Sequence, residues 1–77
     1  MIVVLYTKAD CGLCEQAGDL LRSLQQSIRF ELELVYIEDD ESLRDAYHDR
    51  VPVVAVDGRE VTSAPLNELA IRTAVTG

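Results

Sequence analysis

Cys11 and Cys14 stand three residues apart in Cys11-Gly12-Leu13-Cys14 and are the two cysteines of the chain. Thiols at that spacing close a disulfide, exchange it with another, or contribute half of a metal site. A thiolate, not a thiol, attacks a disulfide, so a reactive cysteine needs surroundings that favour negative charge. The start of a helix supplies them through unpaired N–H groups and its dipole, which lower a cysteine pKa from about 8.5 into a range of about 3.5 to 7.5. Lys8 adds a nearby cation, whereas Asp10 and Glu15 add opposing anions, so the expected shift is moderate. On one helical turn the two thiols share a face. Cys11, at the exposed end, is the natural nucleophile, and Cys14, one turn inward, the resolving thiol.

The flanking elements must place the pair at such a turn. Ile2 to Tyr6 reads as a short buried strand, and Leu13, Ala17, Leu20, Leu21, Leu24 and Ile28 recur at helical spacing. The thiols therefore fall on the helix's first turn. Phe30 to Ile37 reads as a second strand with Glu31 and Glu33 on its exposed side, which makes a βαβ unit with parallel strands and a right-handed crossover. Glu41 to His48 reads as a short helix with Leu43, Ala46 and Tyr47 inward. In Val51-Pro52-Val53-Val54-Ala55-Val56 the proline confines itself to a strand's start. Asp57-Gly58 signals a two-residue hairpin turn with Arg59 to Thr62 as its return strand. A last helix is expected from about Pro65 to Val75, capped by Ser63 or Ala64, with Leu66, Leu69, Ala70 and Thr73 on one face.

Composition narrows the chemistry. The 77 residues fit one domain, 1–77, and their apolar content of 48% is that of an ordinary globular chain. A formal charge of −7, densest at Glu38-Asp39-Asp40-Glu41, argues against nucleic acid or anionic membranes as partners. The acidic run itself reads mainly as a solvated helix cap, with Asp39 or Asp40 as N-cap, and secondarily as a docking surface. The apolar N-terminus lacks a basic leader and is broken at Thr7-Lys8-Ala9-Asp10, which reads as neither signal peptide nor membrane span. A cytoplasmic CxxC pair is more often redox or metal chemistry than a structural staple. A zinc site needs four ligands, and His48 is the one further candidate of usual type. Two unreactive core cysteines stand as the structural alternative.

The motifs together resemble a glutaredoxin on a minimal thioredoxin fold. Val4-Leu5-Tyr6-Thr7-Lys8, Cys11-x-x-Cys14, and Arg50-Val51-Pro52 before an apolar strand and an Asp-Gly hairpin carry that resemblance across nearly the whole chain. It implies an α/β, thioredoxin-like (glutaredoxin-type) order β-α-β-α-β-β-α. The expected sheet is four-stranded and mixed, in order 2-1-3-4, flanked by three helices, the first and third on one face and the second on the other. It also implies that Pro52 is cis and lies against the active-site sulfur. Val51 would then offer backbone N–H and C=O groups to a bound substrate, Gly12 and Leu13 would form part of the substrate rim, and Lys8 would contact a glutathione carboxylate. Arg50 reads as a second cation for a substrate carboxylate or, more simply, as an exposed charge.

Two departures stand beside the matches. Gly12-Leu13 replaces the family's usual Pro-Tyr, and Thr62-Ser63-Ala64-Pro65-Leu66 replaces the Gly-Gly and acidic residues of glutaredoxins that hold glutathione tightly. A glutaredoxin-like group of small bacterial-type proteins fits better. The function expected is thiol-disulfide exchange in electron transport and redox homeostasis, without a resident cofactor or metal. A disulfide-containing protein or small thiol is the expected substrate of a monomer, with glutathione a candidate co-substrate and an external reductant required. The alternative is a weakly catalytic binding or redox-sensor module; an iron–sulfur cluster shared between chains through Cys11 and glutathione ranks below both.

Overall fold

The apolar runs Ile2–Thr7 (β1) and Val53–Val56 (β3) form the two inner strands of a four-stranded sheet, where both faces need covering. The charged segments Glu31–Tyr36 (β2) and Arg59–Thr62 (β4) form its edges, in the order β2-β1-β3-β4. β1 pairs parallel with β2 and antiparallel with β3, and β3 pairs antiparallel with β4 with a register irregularity at Val54/Ala55. The computed structural model describes residues 1–65 and 67–76. Helices α1 (Gly12–Leu24), α2 (Glu41–Tyr47) and α3 (Glu68–Thr76) complete the expected element order.

Burial explains why each helix lies where it does. In α1 the stripe Cys14, Ala17, Gly18, Leu21, Leu24 is buried at i, i+3, i+4, i+7 spacing. It packs with Ile71 and Val75 of α3 onto Val3, Leu5 and Val54 of the sheet, joined by Phe30. Full burial of a side chain such as Leu5 or Leu21 contributes about 1.5–3 kcal/mol. On the opposite face, Tyr6 stacks on Tyr47 of α2 with ring centroids 4.7 Å apart.

Several sequence expectations change. The α1 helix stops at Leu24, and Ile28 reaches the core from the turn beyond it. In α2, Leu43 and Tyr47 are half-buried as expected, but Ala46 is exposed, because this helix of about two turns leans on the sheet by a narrow edge. The α3 helix begins at Glu68, and Asn67 caps it by accepting the Ala70 N–H at 2.9 Å. Pro65 lies in a turn outside the helix, and Leu66 lies outside the described residues. The expected face is rotated: Leu69 is 74% exposed and Thr73 exposed, while Ile71 and Val75 are buried. The later start and the i, i+4 pair of branched residues decide that orientation.

Candidate active site

The disulfide forms where β1 feeds α1. Asp10 takes a left-handed φ of 55°, and Cys11 then turns extended (φ −118°, ψ 105°) as the N-cap of α1, one position before the helix itself. Its Sγ accepts the Cys14 N–H at 3.2 Å, and its carbonyl accepts the Glu15 N–H at 3.1 Å. Sulfur thus occupies the place usually taken by a capping oxygen. Cys11 and Cys14 are joined, with Cα atoms 5.2 Å apart. Cys11 is half-buried, whereas Cys14 is only 3% exposed. The sulfur nearer solvent is therefore the one at the helix terminus.

A small second core surrounds the pair. Cys14, Ile37 and Val51 are its buried members, with Tyr6, Cys11, Leu43 and Tyr47 packed against them. Ile37 belongs to a 3-10 turn, Ile37–Asp39, that follows β2 directly. The sequence reading missed Tyr47, Ile37 and Leu43 as neighbours of the thiols. An aromatic on an inner strand, Tyr6, with a half-buried aromatic on a short helix was the available signal.

The expected site residues divide between two flanks. Val51 and Pro52 are buried, Val51 beside the sulfurs, and the Val51–Pro52 and Ala64–Pro65 peptides are both cis. The Val51 N–H donates to the Tyr47 carbonyl at 3.1 Å, so it is not free for a substrate; its carbonyl accepts no hydrogen bond among the described residues. That corrects the expectation of a two-sided backbone platform. Arg50 ion-pairs with Glu60, lies 5.3 Å over the Tyr47 ring, and through its carbonyl accepts the Ala64 N–H at 2.8 Å. It ties the loops at Val51 and Ala64 together instead of standing as a free cation. Gly12 and Leu13 lie at the rim; nothing crowds Gly12, and Leu13 is 42% exposed.

Lys8 lines a groove of about 440 Å³ that also takes in Cys14, Glu15, Arg22, Leu34 and Tyr36, between α1 and the β2 edge. The structure thus packs Val51 with the cysteines, Pro52 following it in the chain, and places Lys8 in a groove that Cys14 also lines. Among the described residues, no three His, Cys, Asp or Glu side chains group closely enough to hold a metal ion. None of the described helices is long and apolar enough to cross a membrane.

A mixed four-stranded sheet with a CxxC pair at the start of its first helix defines a thioredoxin-fold dithiol protein. The profile of the glutaredoxin-like domain (DUF836) matches residues 2–76, and the chain belongs to that family. It is similar to an X-ray structure of a structural genomics target from X. campestris, at 35% identity and a TM-score of 0.75, over 96% of this chain and 95% of that one. An NMR structure of a protein from Nitrosomonas europaea is likewise 35% identical, with a TM-score of 0.78 over 95% of this chain and 88% of that one. Oxidised mitochondrial thioredoxin 3 of Saccharomyces cerevisiae shares the fold at 16% identity, with a TM-score of 0.68 over 97% of this chain and 76% of that one.

Proposed function

We propose that this chain is a thiol-disulfide oxidoreductase working by dithiol exchange. The carrying observation is the N-cap position of Cys11, whose Sγ accepts a backbone N–H while Cys14 stays shielded within bonding reach. An anion at Cys11 is favoured by that N–H and by the helix dipole. In the reduced protein the Cys11 thiolate attacks a substrate disulfide, forms a mixed disulfide and expels the first substrate thiolate. Cys14, deprotonated, then attacks the Cys11 sulfur, expels the second substrate thiolate and leaves the Cys11–Cys14 bond. Two electrons pass to the substrate, and two equivalents of a thiol or one of a dithiol reductant restore them.

The surroundings favour a polypeptide or other disulfide without a demand for glutathione. Arg50 is engaged by Glu60, so it does not form a ready carboxylate clamp at the platform. The Val51 carbonyl is an acceptor for a substrate N–H, and exposed Leu13, between the two cysteines in sequence, offers apolar contact. The reading takes the protein to act in a reducing compartment, where a CxxC pair is more often redox-active than structural.

Trapping tests the two roles. Cys14→Ser accumulates mixed disulfides with a disulfide substrate and Cys11→Ser does not; equal trapping by both overturns the assignment. Turnover of hydroxyethyl disulfide by the wild-type protein separates a catalyst from a redox sensor, which cycles its own bond yet leaves the substrate unreduced.

A further inference from the structure

Asp40 is the cap that the acidic run promised: its Oδ1 accepts the Ser42 and Leu43 N–H groups at 2.8 and 3.2 Å. Glu38 is engaged differently. The parallel pairing of β1 and β2 ends at Thr7↔Tyr36, so the segments that follow the two strands emerge side by side at the disulfide end. Ile37 turns inward against the Cys14 cluster. Glu38, the next residue, places Oε1 where it accepts the Ala9 N–H at 3.1 Å. This bond joins the turn at Ala9 and Asp10 to a segment distant in sequence. The loop that delivers Cys11 to its N-cap position, through the left-handed Asp10, is therefore held to the protein's polar framework by a carboxylate 29 residues away.

We infer that Glu38 is a positioning residue of the dithiol site, fixing the Lys8–Asp10 loop so that the Cys11 sulfur meets the Cys14 N–H. Its consequence for turnover rests on the exchange reading above; its consequence for thiol reactivity does not. The anchor and the charge act in opposite directions. The anchor favours the Cys11 thiolate by aligning it with the helix start, whereas a nearby carboxylate charge disfavours it.

Glu38→Gln keeps an oxygen acceptor and loses the charge; Glu38→Ala loses both. In the Cys14→Ser background, the pH profile of Cys11 alkylation by iodoacetamide is expected to move to higher pH for Glu38→Ala, and to stay or move lower for Glu38→Gln. Reduction of neutral hydroxyethyl disulfide by the protein with both cysteines is expected to fall about fivefold for Glu38→Ala, with Glu38→Gln at or above wild type. An alkylation profile unchanged in Glu38→Ala, or displaced alike in both variants, overturns the inference. If wild type reduces no disulfide, the exchange reading fails by itself, and the alkylation profiles still decide the role of Glu38.

Discussion

Two aspartates take left-handed backbone at opposite ends of β1, Asp57 at φ 50° beside Ile2 and Asp10 at φ 55° just beyond Thr7. Both residues use the tolerance of a short polar side chain for that region. Asp57 is held twice to the strand it borders: its Oδ1 accepts the Ile2 N–H at 2.9 Å and its N–H donates to the Ile2 carbonyl, with Gly58 following at φ 85°. Among the described residues the Asp10 side chain makes no hydrogen bond, and its loop is fastened by Glu38 from another element. The hairpin turn is held by two bonds to the strand that borders it, whereas the turn that presents the sulfur is tied to another element by one carboxylate, so its geometry is open to adjustment without changing the strand that carries it.

Gly58→Val attacks the hairpin turn and carries the largest expected effect on stability. A β-branched residue at φ 85° costs about 2 kcal/mol. Urea unfolding should register that loss while alkylation of Cys11, at the far end of β1, stays unchanged; altered alkylation would show that the two ends are coupled.

Gly18→Ala tests a glycine with no left-handed demand. Its added Cβ meets Arg22 Nη1, the end of a flexible side chain, at 3.4 Å and Leu5 Cδ2 at 3.7 Å. Helix propensity then dominates, and stability should rise by about 0.5–1 kcal/mol. A lower urea midpoint would mean that the groove beside Cys14 does not accept the methyl group.

Asp10→Gly is expected to move stability least, by under about 0.5 kcal/mol, because relief at positive φ is offset by a more flexible unfolded chain. The more telling measurement is alkylation of Cys11 in the Cys14→Ser background. It should slow if glycine loosens the loop, and an unchanged rate would make the Glu38 anchor sufficient alone.

What could be read before folding follows the same division. Asp57-Gly58, the Val-rich inner strands, the Asp40 cap and the Cys11-x-x-Cys14 pair announce themselves within a few residues, because their geometry is local. The start of α3 was misplaced because Pro65 is a good first-turn residue in isolation, yet Asn67 supplies the cap and Ile71 with Val75 fixes the face. The Ala9–Glu38 bond and the engagement of the Val51 N–H by Tyr47 depend on strand register and on how a short helix ends. Neither leaves a periodic signal. Pairing of Arg50 with Glu60 across ten residues is of the same kind, since both residues look like ordinary exposed charges until β4 returns beside the loop.

The outer margin of β2 has one more consequence. Its unpaired backbone is a template on which another molecule's strand would add, but Glu31 and Glu33 alternate along it. Two such margins meeting antiparallel about Leu32 would oppose carboxylate to carboxylate, an arrangement that repels. The same acids that mark the strand as an edge therefore oppose strand-to-strand joining of two copies in that register.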